Sequence, residues 1–489
     1  MMSTTDNNTP AFHIAICGAG LAAYMTAAAL SRHLPPHCRL TLIITDENPA
    51  ADILYGSVTS PSAYNFNLSV GLSEPDLIRS GNTAFSWGTH YQAWGEEDRN
   101  WIQGFQLPLP VLGGVQFHQY LVPRGNEALE PYLVSALAAR RGAFAHPPET
   151  DGHSLARAEY GYQFSPAAYR EAMSSVIDRS RLSVIAAAIT EIDCLADGIR
   201  QVRLSDGQSV SADLFVDCTG PKATLVGRMG AETIGGKVLG VALTETPSMT
   251  LGPASRMLTG QAFGWQAVTP LQDASAKLTI YAVEDETAAL AAHGPVDVSA
   301  QTVCGRRSVA WTGNCVAIGQ AAAVVDPLTP APLMLLQRDV ERLLALIPVS
   351  PDMTMERREF NRQFANDHDH ADLFRSALLA SPPADAGAYW QAGKSSDERL
   401  DRKIAQFLSR GVLVSYDLEP FTPEDWLILH YGMGRRPERH DRLADAPPDD
   451  QVRAYLSDMN TRIEAAARSL PDHHSYMVNL KRYLAHRGA

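Results

Sequence analysis

The sequence predicts an α/β protein built on a parallel nucleotide-binding sheet, with a strand-rich insertion and an α-helical C-terminal part. Three observations predict it. A glycine turn joins an apolar run to an Ala-rich segment over residues 13–33, two further apolar runs end in turns near 220 and 319, and helical composition dominates from Met353 onward.

His13-Ile-Ala-Ile-Cys17 reads as a buried strand ending at Gly18, and Leu21 to His33 as a helix that stops before Pro35-Pro36. Leu40–Thr45 reads as the second strand, which completes a β-α-β unit. From Gly56 to Pro110 the chain is rich in Ser, Asn, Gly, Pro and aromatics with little periodicity, so long loops draped over a site are expected there. Ala167–Ile177 is expected to be helical, and alternation over Leu182–Ile192, Ile199–Leu204 and Ser209–Asp217 predicts strands, with a turn at Asp206-Gly207. Leu278–Val283 and Cys315–Gly319 read as further strands, and Leu333–Ile347 carries one apolar helical stripe. Gly432-Met433-Gly434 has no strand before it and reads as a loop.

The expected organisation is a nucleotide-binding domain at 11–350, interrupted by a β-rich substrate region at about 60–130 and 225–310, then a helical subdomain at 351–489. A chain of 489 residues with 45% hydrophobic and 19% charged residues can bury a large core, so a disordered or fibrous class is excluded. The balance of 41 basic against 54 acidic residues, net −13, argues against nucleic acid as a partner. No stretch has the length of a membrane span, and residues 1–10 do not read as a signal peptide, which points to a cytoplasmic protein without a membrane partner. Cys17, Cys38, Cys194, Cys218, Cys304 and Cys315 show no metal-ligand spacing; they read as buried thiols, and no metal site is expected.

Gly18-Ala19-Gly20-Leu21-Ala22-Ala23 is a GxGxxA turn between strand and helix. Gly18 makes the turn, Gly20 lets a pyrophosphate approach the backbone, and Ala23 permits close packing of helix on strand. Asp46 or Glu47, at the end of the second strand, could accept from a ribose hydroxyl; a solvated turn carboxylate is the alternative. The runs Asp213–Gly220 and Ile318-Gly319-Gln320-Ala321-Ala322 add two more strand-turn segments. A long cofactor spread over three segments, with no second nicotinamide fingerprint, favours FAD, and hence a Rossmann-like three-layer, two-domain flavoprotein fold.

From near Phe12 to about Tyr476 the chain resembles the flavin-dependent tryptophan halogenase family. The resemblance is carried by Gly18–Ala23; by Gly56-Ser57-Val58-Thr59-Ser60-Pro61, similar to GEATxP; and by Phe85 to Trp94, similar to F-x-x-x-I/V-x-F-x-x-W. Asp213–Gly220, Gly264-Trp265-Gln266-Ala267-Val268-Thr269-Pro270 (similar to W-x-W-x-I-P) and Gly305-Arg306-Arg307 with Trp311 and Asn314 follow. Ile318–Leu328, similar to IGLAAGFLEPL, then Trp426 with Gly432–Gly434 and Pro471-Asp472-His473 complete nine ordered matches.

The resemblance implies FAD reduced by a separate flavin reductase, a flavin hydroperoxide formed with O2, hypohalous acid made from halide, and a lysine beside an aromatic substrate. It also admits a homodimer. Its cofactor contacts fall on Gly18, Gly20, Ala23, Asp46, Ser57, Val58, Thr59, Gly319, Gln320, Asp326, Pro327 and Leu328. Its lysine falls on His90, its acid on Thr329, and its halide donors on Pro330 and Ala331. Imidazole has fewer donors and a lower pKa than an amine, threonine cannot act as a carboxylate, and Pro330 has no N–H.

The catalytic candidates are therefore His90, Thr329 and Trp265, the last as a cavity wall, with Ala267 opening space in place of a second Trp. Phe85, Trp87, Tyr91, Trp94 and Trp101 read as core, and His473-His474 as surface. Pro330 and Pro332 suit the first turn of the following helix, whose positive end would favour an anionic reduced ring. The expected function is oxygenation of a small aromatic or indole-like molecule by reduced FAD and O2 without obligatory halide. A halogenase using His90 in place of lysine and a flavin-binding protein without turnover are the two alternatives.

Overall fold

A computed structural model describes residues 12–45, 49–80, 82–95, 97–125, 128–150, 152–195, 197–348, 350, 352–393 and 397–487. Its first sheet runs, in spatial order, Trp311–Thr312, Cys315–Ala317, Leu214–Asp217, His13–Cys17, Arg39–Ile44 and Leu182–Ala186. All neighbours are parallel except the first pair. Residues 13–17 are all buried, as expected of a central parallel strand covered on both faces.

The helix Leu21–His33 is buried on nearly every side, which explains its Ala-rich composition: the helices Pro166–Ser175 and Ala331–Ala345 pack against it and leave little room for larger side chains. The expected α/β class is observed, and its second strand falls at Arg39–Ile44.

The second sheet has eight strands, in the order Ala323–Val324, Val298–Arg307, Thr233–Pro247, Ala274–Ala282, Gly264–Pro270, Arg256–Gln261, Gly88–Trp94 and Arg99–Gly104. It is antiparallel except where Arg256–Gln261 runs parallel to Gly88–Trp94. Thus the 56–110 stretch is not a set of draped loops. It holds the helices Ala63–Ser69 and Glu74–Arg79 and contributes two strands to this sheet. Helices cover those strands on both faces: Ser135 meets Gly104 on one side, and Gly432 meets Trp101 on the other. A strand buried on both faces does not show the alternation that would reveal it.

Two boundaries also differ from expectation. The Leu182–Ile192 alternation divides between Leu182–Ala186 in the first sheet and Ile189–Leu195 in a separate three-stranded sheet, and Ser209–Asp217 divides in the same way. The C-terminal helices, including Thr354–Leu379, Pro423–Gly432, Asp449–Ser469 and His473–Arg487, dock on the second sheet and its neighbours. Trp94 Nε1 donates to Leu378 O at 2.9 Å, and Gln103 Nε2 to Asp425 O at 2.9 Å.

Phe85, Trp87, Tyr91, Trp94 and Trp101 are all core residues, as expected. His473 is not at the surface; its Nδ1 meets Gly252 O at 3.0 Å in the interior. Five cysteines are buried and Cys194 is exposed, because its strand lies in the outlying small sheet. No helix among the described residues is long and apolar enough to cross a membrane.

Candidate active site

Three turns leave the C-terminal ends of adjacent parallel strands: Gly18–Ala23, Cys218–Gly220 and Gly319–Ala321. They flank the place where strand order reverses, which is where open α/β sheets take nucleotides. Their packing requires glycine. A Cβ on Gly18 would lie 2.2 Å from Cys218 O, and one on Gly319 would lie 2.4 Å from the Tyr55 hydroxyl oxygen and 2.9 Å from Ala22 Cβ. Both have positive φ, +146° and +62°. Gly20 is the extended N-cap of the helix, and Ala23 is fully buried with its N–H on Gly20 O at 3.0 Å. Asp217 fixes the middle turn through Thr219 N at 3.0 Å and the N–H groups of Leu225 and Val226, each at 2.8 Å. This frame fits a dinucleotide. Asp46 lies outside the described residues.

Two donors facing that crevice are already engaged by one short 3-10 turn, Pro49–Tyr55. Leu21 N–H donates to both oxygens of Asp52, at 3.0 and 3.2 Å, so the chain's own carboxylate sits at the positive end of the helix. Arg170 pairs with the same carboxylate at 3.2 Å. Gln320 N–H donates to the Tyr55 hydroxyl, also at 3.2 Å. Burial raises the Asp52 carboxyl above the ordinary range, against the pull of Leu21 N–H and Arg170. A diphosphate can take these donors only by displacing Asp52 and Tyr55.

Ser57, Val58 and Thr59 are buried, and the two hydroxyls have protein partners: Ser57 Oγ meets Thr269 Oγ1 at 2.6 Å, and Thr59 Oγ1 accepts from Tyr162 N at 2.9 Å. Gly56, at φ +77°, lets this loop press against Pro327. The loops carrying two groups of cofactor candidates are thus in contact.

The Asp326–Ala331 turn is held from within. Asp326 Oδ1 accepts from Leu328 N at 3.1 Å and Oδ2 from the Tyr389 hydroxyl at 2.6 Å, while Trp265 Nε1 donates to that hydroxyl at 3.0 Å. Burial raises the Asp326 carboxyl. Arg256, fully buried, donates to Pro327 O at 2.8 Å and Leu328 O at 2.7 Å, and it has no ion-pair partner among the described residues. Thr329 Oγ1 accepts from Ala331 N at 3.3 Å. Of the three backbone N–H groups from 328 to 332, those of Leu328 and Ala331 are internally bonded and that of Thr329 has no partner among the described residues, while Pro330 and Pro332 have none.

His90 is not on this side of the sheet. In the strand Gly88–Trp94, Tyr91 donates its hydroxyl to Leu328 O at 3.2 Å, and Thr89 Oγ1 accepts from Arg256 at 3.3 Å. Successive side chains point to opposite faces. His90 accordingly turns away, and its Nε2 meets Asn100 Oδ1 at 2.8 Å beside the Arg140 and Glu130 pair. Burial lowers its pKa, Asn100 opposes that, and Arg140 adds to the lowering, so the ring is neutral at pH 7. His90→Ala and His90→Lys are expected to leave flavin affinity and turnover within about twofold, since the ring reaches no group of the turn. Steady-state kinetics of both variants checks this.

Thr329 and Asp326 line a cavity of about 310 Å3 whose wall also includes Tyr389, Lys237 and Arg375. Trp265 is fully buried behind Tyr389 rather than lining it. The sequence reasoning missed Asp52, Tyr55, Lys237, Arg256 and Tyr389. Only Arg256, a lone cation in Pro253-Ala-Ser-Arg-Met-Leu258, carried a local signal.

Two solved structures share this fold: BrvH, a flavin-dependent halogenase from Brevundimonas sp. BAL3, and Xcc4156, a flavin-dependent halogenase from Xanthomonas campestris. The first is 25% identical with a TM-score of 0.87, covering 96% of this chain and 99% of its own; the second is 24% identical, also at 0.87, covering 97% and 99%. In sequence, the chain is 24% identical over 425 residues to Tryptophan 7-halogenase KtzQ from Kutzneria sp. (strain 744), 78% of each chain. The family model described as Tryptophan halogenase matches residues 13–449, nearly the whole chain, and the protein belongs to that family.

Proposed function

We propose that the protein is a flavin-dependent oxidoreductase that oxygenates a small aromatic or indole-like molecule and does not require halide. The observation that carries this is the turn at 328–332. Where the family resemblance puts the halide donors, this chain has one proline and one alanine whose N–H is bonded to Thr329. An anion there would meet no hydroxyl from residues 330 and 331 and no N–H of theirs that is not already bonded, which leaves it fewer donors than a desolvated halide needs.

The residues that would hold FAD are Gly18, Gly20 and Ala23 in the first turn, Gly319 and Gln320 in the third, and Ser57, Val58, Thr59, Asp326, Pro327 and Leu328 around the ring. Reduced FAD from a separate flavin reductase, with dioxygen, supplies the oxidising group when bound. The chain's own part is to orient and to hold protons. The buried Asp326 Oδ2 accepts from the Tyr389 hydroxyl, which accepts in turn from Trp265, so the carboxyl is held in one orientation in the cavity wall. Thr329, in the same cavity wall, presents a hydroxyl hydrogen while its oxygen accepts from Ala331.

Incubation with FAD, a flavin reductase, O2 and candidate aromatics, with and without bromide, tests the proposal by mass spectrometry of products. Oxygenated product in bromide-free buffer is expected. Product formed only with bromide would establish the halogenase alternative, and flavin binding without any product would establish a non-catalytic role.

A further inference from the structure

We propose that five buried aromatic rings, Tyr389, Trp390, Trp94, Tyr91 and Trp101, form a path for single electrons between the cavity of about 310 Å3 beside Thr329 and the edge strand Arg99–Gly104. The path exports oxidising equivalents that no substrate has consumed. Its role rests on the oxygen chemistry proposed above, whereas its geometry does not.

Neighbouring rings meet along the whole path. Centroids lie 5.6 Å apart from Tyr389 to Trp390, 5.0 Å from Trp390 to Trp94, 5.3 Å from Trp94 to Tyr91 and 4.5 Å from Tyr91 to Trp101, the last pair stacked. All these separations are those of paired aromatic rings. The two ends open on different spaces. Tyr389 lines the larger cavity with Asp326 and Cys304, and Trp101 lines a second one, of about 140 Å3, whose wall includes the exposed Ala128.

Composition sets the path apart from ordinary core. Elsewhere phenylalanines stack, Phe85 on Phe144 and Phe374 on Phe421. Along the path every ring is an indole or a phenol, which gives up an electron far more readily than benzene does, and no phenylalanine interrupts it. Each polar hydrogen also has an acceptor, which steadies a ring that has lost an electron. Trp390 Nε1 donates to Gln261 O at 2.7 Å, Trp94 Nε1 to Leu378 O at 2.9 Å, Tyr91 to Leu328 O at 3.2 Å and Trp101 Nε1 to Gln103 Oε1 at 3.3 Å.

The Tyr389 end is equipped for the proton that moves with the electron, since its hydroxyl donates to Asp326 Oδ2 at 2.6 Å. An oxygen radical of the hydroperoxyl class in the cavity takes one electron from Tyr389 and becomes hydroperoxide anion, while the phenolic proton passes to the Asp326 carboxylate. The tyrosyl radical regains an electron from Trp390, and the vacancy moves through Trp94 and Tyr91 to Trp101, where a soluble thiol fills it. The proton returns from Asp326 to Tyr389, and the one that the thiol releases completes hydrogen peroxide. The sum is hydroperoxyl and thiol giving hydrogen peroxide and a thiyl radical. Without the path the oxidant reaches Cys304, whose thiol is in the same cavity wall.

Flash photolysis of the full chain tests the path without flavin. Ala128→Cys in a Cys194→Ser background puts an accessible thiol at the smaller cavity, because the other cysteines are buried, and a ruthenium tris-bipyridine photo-oxidant is attached there. After a flash with an oxidative quencher, electron paramagnetic resonance is expected to show a tyrosyl radical that Tyr389→Phe removes. Trp390→Phe and Trp94→Phe should each lower its yield at least about tenfold, the change that about 1.4 kcal/mol of added barrier produces. Trp311→Phe, at a buried ring outside the path, should leave the yield unchanged. An undiminished yield in either path variant, an equal loss in Trp311→Phe, or a tyrosyl signal that persists in Tyr389→Phe would overturn the path. With reduced FAD and O2 but no substrate, peptide mass spectrometry should find Cys304 oxidised faster in Trp390→Phe than in the natural chain; equal rates would overturn the export role. Flash transfer in a chain that forms neither product nor oxidised Cys304 keeps the path and removes the oxidation reading instead.

Discussion

Asp52→Asn is expected to tighten FAD binding by about ten- to a hundredfold without loss of stability in the flavin-free protein. Two like charges about 4 Å apart repel by about 4 kcal/mol at an effective dielectric of 20, and screening leaves a part of that. Relief of about 1.4–2.8 kcal/mol corresponds to the stated change in Kd. Asn keeps an acceptor for Leu21 N–H and removes the carboxylate charge that Arg170 pairs with.

The pH dependence has a definite sign. The folded Asp52 value lies above the unfolded one, so the folded state binds the proton more tightly. Ionising Asp52 thus subtracts stability, fully above the folded value and not at all below the unfolded one. Flavin affinity of the natural protein should accordingly rise on acidification toward that folded value, and the Asn variant should lack this rise. Fluorescence titration of FAD at several pH values, with thermal melts of the apo forms, measures both. Weaker flavin binding by Asp52→Asn would make the carboxylate a support of the site rather than its occupant.

Arg256→Met should lower stability by about 2–4 kcal/mol and loosen the Asp326–Ala331 turn. The variant leaves Pro327 O and Leu328 O without a donor, save the Tyr91 hydroxyl on the latter. Each buried acceptor so abandoned costs about 1–3 kcal/mol. Removing a buried guanidinium that has no ion-pair partner among the described residues returns a fraction of this, which keeps the total below the sum. Arg256→Lys should recover part of the loss, since an ammonium can serve one of the two carbonyls. Chemical denaturation of the three proteins checks the order, and FAD affinity should follow the same order if the loop at Gly56, which the turn adjoins, holds flavin as proposed. A Met variant as stable as the natural protein would show that the turn holds itself.

What the sequence made legible was local. A glycine turn between an apolar run and an Ala-rich helix is specified within about twenty residues, and the structure has it. Side-chain partners set at long range were not legible. Asp52 lies 31 residues from Leu21 and Tyr55 lies 265 from Gln320, and nothing around either residue signals the meeting. The side of the sheet that His90 faces was hidden for another reason. A motif match aligns positions along the chain, whereas orientation depends on Tyr91 reaching Leu328, 237 residues away. The switch of sheets after Ala186 was hidden because a strand pattern continues across it.

The parallel pairing of Gly88–Trp94 with Arg256–Gln261 has a consequence for how the molecule is made. During synthesis the first strand leaves the ribosome about 160 residues before its partner exists. At roughly 5–20 residues per second it waits on the order of ten to thirty seconds with Tyr91 and Trp94 uncovered. Production in a host that translates slowly, or with chaperones withheld, should therefore favour aggregates seeded by this segment over soluble protein.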